Sequence, residues 1–171
     1  LVIIGVVATF FIGFSIWYGG APFVSNNASA SPFNIPFATG QEQQQTLSDC
    51  RGKPLVVYFW ATWCPSCVKK MGTLNRFAEQ FKAQGGEVIA LSQDRGGIST
   101  VRSYYTRNGY NNLDIYIEAS GQLANAFGVS GFPTTIFIDK DGNEVGRLVG
   151  GIDWESPEVT TLVNQYFGLN L

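Results

Sequence analysis

The chain has 171 residues, enough for one domain of ordinary size and an appendage. Its 11 basic and 13 acidic residues give a formal net charge of −2, so the composition offers no case for nucleic-acid binding. With three cysteines and no histidine, it is poorly supplied with zinc ligands, and we expect neither a metal nor a cofactor.

The amino-terminal segment, residues 1–18, is uncharged and almost entirely apolar. At about 1.5 Å per residue, a helix of this length spans about 27 Å, close to the ~30 Å of a bilayer's hydrocarbon core. Trp17 and Tyr18 stand where an interfacial aromatic belt would lie. The segment predicts a transmembrane anchor that stays on the chain. A signal peptide cleaved near residues 28–30 is the alternative.

Residues 19–45 are rich in Ser, Asn, Gln, Pro and Gly and show no sustained periodicity. This composition predicts a flexible linker, with a short strand or hairpin near residues 33–37. The folded domain is therefore expected to occupy residues 46–171.

A continuous apolar run at residues 55–60 predicts a strand that is buried on both faces. It leads into Cys64-Pro65-Ser66-Cys67. Apolar residues then recur at three- and four-residue spacing and predict a helix that stops at Gly85, namely Val68, Met71, Leu74, Ala78 and Phe81. The cysteine pair is thereby placed at the start of a helix.

That position favours redox chemistry. A sulfur at a helix start faces unpaired N–H groups and the positive end of the helix dipole, and both stabilise a thiolate. We expect the pKa of Cys64 to fall below the free value of about 8.5, into the range of about 3.5–7.5. Pro65 suits the first helical position, and the more enclosed Cys67 is expected to resolve a reversible disulfide. Half a zinc site and a purely structural disulfide are the alternatives.

The rest of the chain predicts alternating strands and helices. Strands are expected at residues 87–92, 114–118, 134–139 and 144–149, and helices at 98–108, 122–127 and 159–167, the last begun by Ser156. Asp141-Gly142 predicts a hairpin turn. This order is typical of a three-layer α/β sandwich with a mostly parallel sheet. The odd cysteine, Cys50, is expected to be a small half-buried residue, with a dimer disulfide or an extra redox partner as alternatives.

Two stretches together resemble the thioredoxin-like superfamily: residues 60–67, Trp-Ala-Thr-Trp-Cys-Pro-Ser-Cys, and residues 131–135, Gly-Phe-Pro-Thr-Thr. The form of the first motif, the α-β insertion and the Gly-Gly-Ile-Asp-Trp stretch ending at Trp154 are similar to the membrane-anchored TlpA/ResA/CcmG-type branch. The resemblance covers about residues 46–167. It implies a thioredoxin-like sandwich in which helices flank a mixed central sheet.

The resemblance also implies roles for particular residues. Cys64 would attack a partner's disulfide and Cys67 would resolve the mixed disulfide, while a cis Phe132–Pro133 bond would pack against the pair. The Phe132 backbone would pair with an extended partner segment beside Trp63. The catalytic residues are therefore expected to be Cys64, Cys67 and Pro133, and the substrate-binding residues Trp63, Pro65, Ser66, Phe132 and Thr134.

By the same resemblance, the protein is expected to be a thiol–disulfide oxidoreductase on the outer, periplasmic face of a bacterial inner membrane, to which it is anchored by a single span. Its substrates would be disulfides of selected proteins, such as apocytochrome c or copper-site assembly proteins, and a membrane electron donor would regenerate its dithiol. A disulfide-introducing oxidant and a non-enzymatic docking or metal-delivery module are the alternatives. A peroxidase is disfavoured because the chain has no Pro-x-x-x-Thr-x-x-Cys stretch.

The sequence departs from the family pattern at several positions. Tyr58 stands where thioredoxin has a buried Asp, and Lys70 and Gly72 stand where many relatives carry Glu and Pro; Gly72 is expected to bend the helix in place of the proline. Asp94 and Glu118, at the ends of predicted strands, are candidate proton acceptors, with an ordinary solvated carboxylate as the alternative.

Overall fold

The computed structural model describes residues 31–171. Two 3-10 turns, Pro32–Asn34 and Leu47–Cys50, precede the central strand. The strands are β1 Phe37–Thr39, β2 Gln44–Gln45, β3 Leu55–Trp60, β4 Glu87–Ser92, β5 Tyr116–Ile117, β6 Thr134–Ile138 and β7 Glu144–Val149. The helices are α1 Pro65–Val68, α2 Met71–Ala83, α3 Gly97–Asn108, α4 Gln122–Ala126 and α5 Pro157–Phe167. The predicted anchor at residues 1–18 lies outside the described residues, and no helix within residues 31–171 is long and apolar enough to cross a bilayer.

The strands form one mixed sheet in the order β2-β1-β5-β4-β3-β6-β7. Only β3–β4 and β4–β5 pair in parallel, and the other four pairings are antiparallel. The mixed sheet is confirmed, whereas the expectation of a mostly parallel one is wrong. The parallel strands β3, β4 and β5 form the centre of the sheet. The β1–β2 hairpin pairs antiparallel with β5 on one side, and the β6–β7 hairpin pairs antiparallel with β3 on the other.

β3 lies at the centre and is buried along its whole length, as its apolar run predicts. Alternate side chains point to opposite faces, so the strand contributes to two hydrophobic clusters. Val56, Tyr58 and Trp60 face α2, α3 and α5. Val57 and Phe59 face α4 and the 3-10 turn at Leu47–Cys50. This arrangement is the predicted three-layer sandwich.

The amino-terminal part of the domain differs from the prediction. Residues 31–45, expected to belong to a flexible linker, form the first 3-10 turn and the β1–β2 hairpin. β1 also pairs with β5, with Ala38 opposite Ile117, and the Phe37 side chain is only 1% exposed. The expected short strand or hairpin near residues 33–37 is thus present a few residues later, from Phe37. The prediction of a flexible linker is wrong for these residues, and the folded domain begins before residue 46.

The helix predicted after Cys64 is divided into two. α1 has only four residues, and Lys70 precedes α2 with φ −106° and ψ −8°. The break therefore comes two residues before Gly72, close to the bend that the sequence suggested. Cys64 therefore caps a helix of only four residues, shorter than predicted, and the Cys67 N–H is the backbone group that donates to its sulfur.

Candidate active site

The cysteine pair lies where β3 ends and α1 begins. Cys64 is the N-cap of α1 and Pro65 its first residue, as predicted. The two cysteines are joined by a disulfide with their Cα atoms 5.2 Å apart, and the Cys67 N–H donates to Cys64 Sγ at 3.3 Å. Cys64 is 6% exposed and Cys67 is not exposed at all. Only the first sulfur is therefore within reach of another molecule.

The second predicted motif faces this pair at the start of β6. The Phe132–Pro133 peptide bond is cis, as the resemblance implies. Because β6 runs antiparallel to β3, with Thr134 opposite Phe59, the amino end of β6 meets the carboxyl end of β3. The topology thus brings the proline segment to the cysteine turn.

The predicted substrate-binding residues fall into two groups. The Trp63 side chain is 63% exposed and packs edge-on against Phe132, with the ring centroids 6.1 Å apart; Pro65 and Ser66 are also exposed. Thr134 differs, because its side chain is buried and its Oγ1 donates to the Gly131 carbonyl at 2.8 Å. Its side chain holds the proline loop and does not reach the surface.

The segment that follows β7 also contacts the cysteine turn and the proline segment. The Gly150 N–H donates to the Pro133 carbonyl at 2.8 Å. A Cβ on Gly151 would lie 3.0 Å from the Ser66 carbonyl oxygen, so only glycine fits easily against the cysteine turn. No role was predicted from the sequence for Gly150 and Gly151. A glycine pair directly after a strand was the available sign of a close backbone contact.

Tyr58 lies beneath the cysteine pair. Its hydroxyl donates to the Cys67 carbonyl at 3.3 Å, and its ring packs against Trp154 with the centroids 6.1 Å apart. Burial, with a smaller contribution from Tyr104, raises the pKa of Tyr58. The side chain is therefore a neutral hydrogen-bond donor and cannot take the place of the carboxylate that thioredoxin has there.

The two candidate proton acceptors are buried, which excludes the alternative of solvated carboxylates. Asp94 is 3% exposed and accepts hydrogen bonds from Thr62 and Ser92. Glu118 is 5% exposed and accepts the Leu123 N–H at 3.1 Å near the start of α4. Both carboxylates hold backbone segments where parallel strands end.

Cys50 lies in the other half of the core. It is a free thiol, only 1% exposed, and its Sγ accepts a hydrogen bond from Gln45 Nε2 at 3.0 Å. Burial, reinforced by the charge of Glu87, raises the pKa of the Cys50 thiol. Cys50 is therefore more deeply buried than predicted. It packs against the face of the sheet opposite Cys67 and is not placed to exchange with the pair.

Within residues 31–171, no group of three or more Cys, Asp or Glu side chains is close enough to hold a metal ion. Both sulfurs of the Cys-Pro-Ser-Cys turn are bonded to each other.

A Cys-x-x-Cys pair after a central strand, with a cis proline at the start of the neighbouring antiparallel strand, is typical of the thioredoxin-like class of proteins. Within that class, the chain belongs to the AhpC/TSA family, whose sequence profile matches residues 27–144. The predicted resemblance is confirmed.

The chain is similar to several proteins named thiol–disulfide oxidoreductase ResA. It is 34% identical over 104 residues to the one from Bacillus thuringiensis (strain Al Hakam), an alignment that covers 61% of this chain and 59% of that relative. It is also 34% identical over 128 residues to the one from Geobacillus kaustophilus (strain HTA426), covering 75% of this chain and 71% of the relative.

The fold is similar to that of the solved structure of dsbF from MTB, with a TM-score of 0.68 and 19% sequence identity. The superposition covers 80% of this chain and 97% of that protein. At this identity the likeness concerns the fold alone.

Proposed function

We propose that this protein is a thiol–disulfide oxidoreductase that reduces disulfides of selected partner proteins through Cys64 and Cys67. The observation that carries the proposal is the asymmetry of the pair. Cys64 caps the helix and keeps 6% of its surface exposed beside Trp63, whereas Cys67 behind it is not exposed at all. The names of the ResA relatives support thiol–disulfide oxidoreductase activity; reduction, as the direction, rests on the resemblance to the ResA-type branch.

The reaction follows from this asymmetry. The Cys64 thiolate attacks one sulfur of the partner's disulfide, and the other sulfur leaves as a thiolate that takes up a proton. Cys67 then loses its proton and attacks Cys64 Sγ, which breaks the mixed disulfide and releases the partner's second thiol. The partner gains two electrons and two protons, and the chain is left with the Cys64–Cys67 disulfide. A membrane electron donor would return it to the dithiol.

The backbone around the site helps both steps. The Cys67 N–H, 3.3 Å from Cys64 Sγ, can donate to a thiolate there. The exposed Trp63 and the Phe132 segment flank the sulfur, and an extended partner chain could lie across them in the manner of an added strand. Docking and exchange would thus occur at one surface.

The partners that we propose are apocytochrome c or copper-site assembly proteins, and the proposal rests on the resemblance to the ResA-type branch. We also propose that residues 1–18 anchor the chain in a bacterial inner membrane, with the domain outside. The uncharged apolar run and its terminal Trp17 and Tyr18 support an anchor. Resistance of the membrane-bound chain to alkaline extraction, with its domain open to protease in spheroplasts, would test this; release of a shortened chain would contradict it.

The decisive experiment is to trap the mixed disulfide. We expect the Cys67→Ser chain to accumulate a covalent adduct with its partners, because the resolving sulfur is missing. Cys64→Ser should form no adduct, and Cys50→Ser, which alters only the buried free thiol, should behave as the unaltered chain. Retention of full activity by Cys64→Ser in a complementation assay would contradict the proposal and favour a non-enzymatic docking module.

The direction of electron flow needs a separate measurement. The known potentials of such couples run from about −270 mV for thioredoxin to about −120 mV for DsbA. Equilibration of the pair with glutathione gives its reduction potential. A value above about −150 mV would indicate a disulfide-introducing oxidant in place of a reductase.

A further inference from the structure

Asp94 is joined to the turn that carries the reactive cysteine. The Cys64 N–H donates to the Ala61 carbonyl at 3.2 Å and closes a four-residue turn. Thr62 and Trp63 occupy the two central positions of that turn. Asp94 Oδ2 accepts the Thr62 N–H at 2.9 Å, and Asp94 Oδ1 accepts the Thr62 hydroxyl at 2.6 Å. The carboxylate thereby holds the first central residue by both its backbone and its side chain.

Asp94 is itself fixed in place. The Ser92 hydroxyl donates to Asp94 Oδ2 at 2.7 Å and accepts the Asp94 N–H at 3.0 Å. Both lone-pair sites of Oδ2 are therefore used, and the whole group is 3% exposed. Ser92 ends β4, and β4 lies beside β3 in parallel. The connection thus runs from the buried centre of the sheet to the cysteine turn.

The outer side of the turn is open to solvent, because Trp63 is 63% exposed and packs edge-on against Phe132. A buried carboxylate that accepts a backbone N–H forms strong, charge-assisted bonds. Loss of these bonds would leave the Thr62 N–H unpaired and let the turn move. Both Trp63 and Cys64 follow Thr62 directly, so they would move with it.

We propose that Asp94 is a positioning residue of the redox site: it fixes the turn that sets Cys64 Sγ beside the Cys67 N–H and presents Trp63 to the partner. This inference rests on the proposed oxidoreductase function. It replaces the expectation that Asp94 accepts a proton from a thiol, because the hydrogen bonds of its carboxylate go to Thr62 and Ser92 and neither cysteine is among its partners.

Two substitutions separate positioning from proton transfer. Thr62→Val removes one of the hydrogen bonds but keeps the carboxylate, its charge and the shape of the side chain. Asp94→Asn removes the charge and disrupts the bonds to the turn. Positioning predicts that both substitutions act in the same direction. A proton acceptor would be lost only in Asp94→Asn and left intact in Thr62→Val.

We expect kcat/KM toward a partner's protein disulfide to fall about fivefold in Thr62→Val, as for the loss of one hydrogen bond, and by up to about 100-fold in Asp94→Asn, as for a misplaced reacting group. The pKa of reduced Cys64, measured from the pH dependence of its alkylation by iodoacetamide, should rise in Thr62→Val because the Cys67 N–H is no longer aligned. An unchanged pKa and kcat/KM in Thr62→Val would overturn the inference.

A control with the same kind of hydrogen bonds, at a carboxylate more exposed than Asp94, is available at the opposite end of the strands. Asp139 follows β6 and likewise accepts backbone N–H groups of a turn, from Asp141 at 2.9 Å and Asn143 at 2.8 Å. Asp139→Asn should loosen that turn and leave kcat/KM within about twofold. A loss in Asp139→Asn equal to that in Asp94→Asn would show a general effect on stability and overturn the inference.

Hydrogen–deuterium exchange measures the mobility of the cysteine turn independently of activity. Peptides that contain residues 61–64 should exchange faster in Asp94→Asn and Thr62→Val than in the unaltered chain, and at an unchanged rate in Asp139→Asn. If the Cys67→Ser chain traps no partner, the oxidoreductase proposal fails while these rates still test the turn. If trapping succeeds and the rates do not change, the positioning role alone is refuted.

Discussion

Tyr58 shows how a single residue shapes the site without taking part in exchange. Its hydroxyl bonds to the carbonyl of the buried cysteine, and its ring is fixed against Trp154. Where thioredoxin has a carboxylate that assists the resolving thiol, this chain has a neutral donor. Tyr58 therefore supplies no base for the Cys67 thiol.

We expect Tyr58→Phe to lower the free energy of unfolding of the oxidised protein by about 0.5–1.5 kcal/mol, the contribution of one buried hydrogen bond. The Cys67 carbonyl still accepts the Lys70 N–H at 3.0 Å in this variant, so the loss comes from the phenol's own bond. Urea denaturation gives the value. The same change at the half-buried Tyr166 should alter stability by about 0.5 kcal/mol or less, and equal losses in the two variants would contradict the role of the bond.

Among the strands and helices, the sequence predicts those features that depend on residues close together in the chain. The apolar run of β3, the apolar spacing of α2 and the Ser156 cap of α5, which accepts the Val159 N–H at 3.3 Å, all appear as expected. The same holds for the cysteine pair at a helix start, because that position depends on neighbouring residues. These features could be predicted because each is determined within one short segment.

Features that depend on distant partners were missed or only partly anticipated. β1 pairs with β5 through Ala38 and Ile117, which are far apart in the chain, and its own polar surroundings resemble a linker. The contact of Asp94 with Thr62 joins residues 32 positions apart. No periodicity within a short window reports such a pairing, so the hairpin and the support of the cysteine turn needed the structure.

The β1–β2 hairpin is expected to contribute strongly to stability. Phe37 is 1% exposed and packs edge-on against Tyr116, with the ring centroids 5.5 Å apart. Phe37→Ala should lower the free energy of unfolding by about 3–5 kcal/mol, since it leaves a cavity in the core.

Phe33 offers the matched control. It is half-buried and packs against Phe127 at 5.8 Å, so Phe33→Ala should cost less than Phe37→Ala in the same urea denaturation experiment. Equal and small losses for the two variants would show that residues 31–45 behave as the linker that the sequence suggested.

Across the whole molecule, several groups that can lose a proton are buried as neutral species. Tyr105 stacks on Trp60 with the ring centroids 5.9 Å apart and is 4% exposed, and Tyr116 is 5% exposed. Burial is the main cause that raises the pKa of Tyr58, Tyr105 and Tyr116 and of the Cys50 thiol. Each group therefore stays protonated up to a higher pH in the folded chain than in the unfolded one.

These raised pKa values make the free energy of unfolding depend on pH. Above the unfolded pKa values, about 8.5 for Cys and 10 for Tyr, the unfolded chain binds fewer protons than the folded one, so the free energy of unfolding falls as pH rises. The contribution of these groups is complete below about pH 8. At one pH unit above the unfolded value, each buried tyrosine that stays protonated lowers stability by about 1.4 kcal/mol.

We therefore expect urea denaturation to give a clearly lower free energy of unfolding at pH 10.5 than at pH 8. Absorbance at 295 nm should show fewer tyrosinates in the folded chain than in urea at the same alkaline pH. In Tyr58→Phe the decline should be shallower, because one of the buried phenols is missing. Equal stability at the two pH values, with tyrosines that ionise fully in the folded chain, would mean that solvent reaches the aromatic core, and the packing that holds Tyr58 beneath the cysteine pair would then be wrong.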